Sequence, residues 1–129
     1  MPKVARPTSP HWTVYRWQLG SSLSILHRAT GALLAVGLIV LAFWWTALAS
    51  GPAAFSGAAR VLGSPLGLLL LFGVSFSFWY HALNGVRHLF WDAGRGFEKA
   101  ERHGSAWAAV AGAVLLTAGL WVLIWRHLT

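Results

Sequence analysis

Polar positions in this chain are bunched and the apolar positions between them run on without interruption. Three stretches carry no Asp, Glu, Lys or Arg: 29–59, 61–86 and 103–125. A helix needs roughly 20 apolar residues to cross the hydrocarbon core of a bilayer, so each stretch holds one crossing and none holds two. The runs lack the strict alternation of a membrane β-barrel. Boundary signals sit where they should. Gly51-Pro52 ends the first run, Ser64 is placed as an N-cap with Pro65 at the first helical position, and Asp92, Gly94 and Gly96 break the chain after the second. The pattern predicts an all-α membrane protein with transmembrane helices near 23–49, 65–91 and 104–127. Residues 1–22 form an extension, 23–129 a single transmembrane domain, and 50–63 a connecting loop.

Composition agrees. Hydrophobic residues make up 57% of the 129 and charged residues 10%, against about 25% charged in a soluble domain. That excludes a soluble enzyme, a disordered chain and a coiled coil. With no Cys, disulfides and thiolate-held metals or iron–sulfur clusters are excluded within this chain. The only Met is Met1, which leaves His as the realistic haem or metal ligand.

The net charge of +7 would suggest nucleic acid in a soluble protein, but here the cations are sorted by side. Lys3, Arg6, Arg16 and Arg28 precede the first helix, and Arg87, Arg95, Lys99 and Arg102 cluster at the second connection; only Arg60 and Arg126 fall opposite. The positive-inside rule then predicts a cytoplasmic N-terminus and 92–103 connection, with the 50–63 loop and the C-terminus outside. The charge reads as topology, with membrane lipid as surroundings and no nucleic-acid partner. The first apolar run starts too late for a secretory signal, so the proline- and aromatic-rich segment 6–17 reads as a retained extension at the membrane surface.

His81 is the most informative polar residue. It is expected about 10 Å below the cytoplasmic surface, where polar groups are costly and tend to be functional. Its helical face reads Gly73, Ser77, His81, Gly85 at spacing four, with Asn84 and His88 nearby. Small residues above and below an imidazole leave room for a flat, wide group such as haem. A small-residue packing stripe, with His81 bonded to a neighbouring helix, and a proton relay are the alternatives. At the start of the first helix Ser24, His27, Arg28 and Gly31 fall at i, i+3, i+4 and i+7 and are expected on one face. Such a group suits carboxylates or a quinone carbonyl; a snorkelling boundary cation beside a capping Ser is the plainer alternative. His27 is expected near the boundary, level with His88 and about 10 Å from the depth of His81. On that reckoning it cannot ligate a metal opposite His81, and a second axial ligand would come from another chain. Asp92 is in reach of the His88 proton. The third helix reads as packing surface.

The motifs Arg6-Pro7-x-Ser9-Pro10-His11, Ser24-x-x-His27-Arg28-x-x-Gly31 and His81-x-x-x-Gly85-Val86-Arg87-His88-x-x-x-Asp92 together resemble the cytochrome b membrane anchor of succinate dehydrogenase (complex II), the larger of its two anchors. The resemblance implies that His81 is an axial ligand to the iron of haem b, with the second supplied by the smaller anchor subunit. It implies that Ser24 and Arg28 line the ubiquinone site, and that His27, Arg28, Gly85 and His88 lie against the haem. FAD and iron–sulfur clusters would reside only in a flavoprotein and an iron–sulfur partner subunit. The expected setting is a bacterial inner membrane, since no transit peptide precedes the motifs, with the mitochondrial inner membrane as the other possibility. A fumarate reductase anchor or a haem-free scaffold subunit are the alternatives.

Overall fold

The computed structural model describes residues 13–128, so the Arg6–His11 motif lies outside the described residues. Four helices follow in order: α1 Leu19–Ala49, α2 Pro52–Leu62, α3 Pro65–Asp92 and α4 Lys99–Leu128. α1, α3 and α4 are each long and apolar enough to cross a membrane, with mean hydropathies of 2.3, 1.6 and 2.1 over an 18-residue stretch of each. The three expected spans are therefore present.

Two of the spans begin earlier than expected. α1 begins at residue 19 and not 23. Its N-cap, Gln18, offers no side-chain bond. The first turn is braced from outside instead: Tyr15 shares a hydroxyl bond with Ser21 and the Trp17 indole donates to Ser22 Oγ. α4 begins at residue 99 and not 104. The charged stretch there is made of good helix formers, and Glu101 Oε2 accepts the Glu98 N–H at 3.3 Å.

The expected 50–63 loop is largely helical, as α2. Gly51 holds a φ of 104°, open to glycine alone without strain. That turn delivers Pro52 to the first position of α2, and Gly63 closes it. The turn into α3 follows the sequence signals: Ser64 Oγ accepts the Gly67 N–H at 3.2 Å and donates to Val61 O at 2.7 Å. Gly67 itself is required there, because a Cβ would strike the Val61 and Leu62 carbonyls.

α3 lies between α1 and α4, antiparallel to both. Without water to drive apolar residues together, membrane helices associate by close packing of small residues, and both seams show this. A Cβ on Gly37 of α1 would come 2.7 Å from Val74 of α3. Across the other seam Leu83 lies over Gly112, and α4 buries Ala106, Ala109, Ala113 and Thr117. Trp121 donates to Ser75 Oγ at 2.9 Å near the far end. The core is a small cluster of Leu23, Tyr80, Ala106 and Ala113. It lies where α1 begins, α3 ends and α4 begins, here termed the basic end. Large apolar residues such as Leu38, Ile39, Leu69 and Leu115 point outward, as a lipid-facing belt does.

Candidate functional site

The candidate site forms where α1 crosses the last third of α3. The His81 ring is held on three sides by α1. Its Nδ1 lies 3.2 Å from the main-chain oxygen of His27 and 3.5 Å from Thr30 Oγ1. The Thr30 hydroxyl proton is already directed to the carbonyls of Leu26 and His27, both at 2.9 Å. Both groups facing Nδ1 therefore accept, so Nδ1 carries a ring proton, and in the neutral imidazole the lone pair is on Nε2. The His27 ring lies flat on His81, with centroids 3.8 Å apart and planes 12° from parallel. At the ring edge, Gly31 leaves just enough space: a Cβ there would be 3.1 Å from His81 Cε1.

This overturns the expected depth difference between His27 and His81. Because α1 starts at Leu19, His27 is about 12 Å along its helix, and His81 is about 16 Å from the end of α3. The two rings meet, with His88 beyond, its centroid 5.4 Å from His27. Stacking now separates His27 from a metal at His81. Imidazole lone pairs lie in the ring plane, so two rings lying flat on each other cannot aim at one ion between them.

The expected convergence of Ser24, His27, Arg28 and Gly31 also divides in two. His27 and Gly31 turn toward α3, whereas Ser24 and Arg28 are exposed one turn apart on a face that the described residues leave uncovered. Gly85, one turn from His81, has no atom within 4 Å of where a Cβ would stand. His88 is exposed and sets its ring edge-on to Trp91 at 4.9 Å, and not on Asp92.

The donor set discriminates between kinds of metal site. Among the described residues no three His, Asp or Glu come together as a cage for a bare ion. One imidazole with a fixed tautomer and a free Nε2, beside open space at Gly85, suits a haem that takes a single ligand from this chain. His27 Nδ1 is buried and without a hydrogen-bond partner among the described residues.

Residues 2–120 match the sequence profile of the succinate dehydrogenase/fumarate reductase transmembrane subunit. The chain belongs to this family. Among its relatives, the succinate dehydrogenase cytochrome b556 subunit of Paracoccus denitrificans is 44% identical over 111 residues, covering 86% of this chain and 85% of the relative. The subunit of the same description from Rickettsia conorii is 42% identical over 117 residues, 91% of each chain. The mitochondrial cytochrome b560 subunit of Sus scrofa is 42% identical over 96 residues, 70% of this chain and 55% of the relative. The protein is thus an integral membrane subunit of the succinate dehydrogenase type, as the motifs implied.

Within that family frame, two features of the site escaped the sequence. Thr30 lies at the His81 ring, and its only sequence signal is a position three residues after His27. Arg87 is buried, 9% exposed, with every bond internal: Nε to Ser105 Oγ at 3.0 Å, Nη1 to Asn84 Oδ1 at 3.1 Å, Nη2 to the Arg102 carbonyl at 3.2 Å, and its guanidinium 4.2 Å from the Trp91 ring centroid. It is a brace between α3 and α4. So α4, expected to be bare packing surface, also supplies a hydroxyl and a carbonyl to a buried cation. Tyr80, wholly buried, donates to Leu23 O at 3.0 Å and ties α3 to α1 beside His81.

Proposed function

We propose that the chain is the haem-carrying membrane anchor of a succinate:quinone oxidoreductase in a bacterial inner membrane, with its N-terminus and the 92–103 connection on the cytoplasmic side. His81 would hold the iron of haem b from this chain, with a second ligand from the smaller anchor subunit. The single observation that carries this reading is the Nδ1–H of His81 donating to the His27 carbonyl at 3.2 Å, which leaves Nε2 as the metal-binding nitrogen. The relatives are described as cytochrome b subunits of succinate dehydrogenase, which supports haem b and favours this enzyme over a fumarate reductase. When bound, the haem supplies a one-electron store inside the bilayer.

This chain's own residues hold and orient. The parallel His27 ring fixes the plane of His81, and Gly85 and His88 flank the space below it. Ser24 and Arg28, on the uncovered face of α1, form part of a ubiquinone pocket completed by the iron–sulfur subunit. There Arg28 offers fixed donors to a quinone oxygen and Ser24 a hydroxyl. His27, and Arg28 from the exposed side of α1, would also border the haem. Succinate is oxidised at FAD in the flavoprotein subunit, and the isolated chain has no activity of its own.

The test uses the assembled complex. His81→Ala is expected to abolish or displace the reduced-haem α band, and an unchanged spectrum removes His81 as ligand. Ser24→Ala and Arg28→Ala are expected to lower quinone reduction at least tenfold, about 1.4 kcal/mol of barrier, while succinate oxidation with an artificial acceptor continues. Equal loss of both activities would sink the quinone assignment.

A further inference from the structure

We infer that Thr30 and Gly31 are positioning residues for the His81 imidazole, setting how strongly it donates to its metal. This rests on the proposed haem ligation. Three observations carry it. The two groups facing His81 Nδ1 are the His27 carbonyl at 3.2 Å and Thr30 Oγ1 at 3.5 Å. Thr30 turns its own proton back into α1, at 2.9 Å from two carbonyls, so its oxygen presents only lone pairs to the ring. Gly31 lets the ring edge close on α1: a Cβ there would stand 3.1 Å from Cε1 and 3.6 Å from Nδ1.

The physics gives a direction. An acceptor at Nδ1–H makes Nε2 more basic. A more basic ligand favours the higher oxidation state of the metal and lowers its reduction potential. A methyl group at position 31 pushes the ring away from α1 by a few tenths of an ångström, and so away from both acceptors at once. The Nδ1–H bonds lengthen, Nε2 donates less and the potential rises. Replacing the Thr30 oxygen by a methyl group removes the weaker acceptor alone and gives a smaller rise.

The experiment is a potentiometric titration of the haem α band in the purified four-subunit complex, with haem counted per flavin. Gly31→Ala is expected to raise the midpoint potential and displace the α band, or to lower haem content in an otherwise assembled complex. Thr30→Val is expected to raise the potential less, and Thr30→Ser, which keeps the hydroxyl, to return it to the wild-type value. An unchanged or lowered potential with full haem in both Gly31→Ala and Thr30→Val overturns the proposal. If Gly31→Ala does not assemble, the Thr30 pair decides by the same rule. A structural role alone would alter yield without a shift that serine reverses. Failure of the underlying reading is separate and visible first: the wild-type complex would lack haem, or His81→Ala would keep it unaltered.

Discussion

α3 makes two seams, and they are built in opposite ways. Against α4 the contact is closed. Four alanine-sized or hydroxyl side chains of α4 are buried, and the Arg87 guanidinium finds all its partners within the chain. Against α1 the contact is partial: of the 31 residues of α1 only Leu23, Thr30 and Ala47 are buried. Its polar groups include one buried nitrogen without a partner, and Gly85 of α3 borders empty space. A buried cation is costly in a bilayer unless its donors are satisfied, so the α3–α4 seam reads as scaffold. The α1–α3 seam leaves one buried polar atom unpaired and open space beside Gly85.

Three substitutions break or sharpen that contrast. The largest effect is expected from Arg87→Leu, which strands Asn84 Oδ1 in the closed seam and leaves the Ser105 hydroxyl only its own bond to the Arg102 carbonyl. Leaving buried polar groups unpaired costs about 2–3 kcal/mol, even where the membrane softens such terms. Thermal unfolding of the purified complex should show the loss, and an unaltered midpoint would mean the brace is ornamental. Gly37→Ala is expected to cost about 1 kcal/mol, because its Cβ would come 2.7 Å from Val74 Cγ1. Adding Val74→Ala should recover part of this, and a purely additive double variant would show that the two residues do not meet. The smallest effect on folding is expected from Gly85→Ala. No neighbour lies within 4 Å, so stability should change by less than about 0.5 kcal/mol. Haem content in the same sample is expected to fall, and full retention would take Gly85 out of the haem pocket.

The three spans were legible because charge-free length is a one-dimensional property, and a bilayer reads it directly. What failed was local. α2 is flanked by Gly51-Pro52 and Gly63, which are ordinary helix-limit residues, yet a stretch outside a membrane span reads first as a loop. The start of α4 was obscured by its charges, although Lys99, Ala100 and Glu101 all favour helix. At the site, His81 and its small-residue neighbours stood out from spacing alone. The meeting of His27 with His81 did not, because it depends on how far α1 extends before His27 and on how α1 crosses α3. Thr30 and Arg87 were hidden for the same reason: each acts through a partner that the sequence places 51 or 18 residues away.

The oxygen that receives the His81 proton belongs to the peptide link of residue 27 and not to its side chain. Mutagenesis at that codon therefore cannot delete the acceptor. It can only strip away the overlying ring, and a mild phenotype there would say nothing against the bond. The atom is as durable as the helix that carries it, which makes the register of one helix on the other, and no single side chain, the quantity that selection must hold fixed.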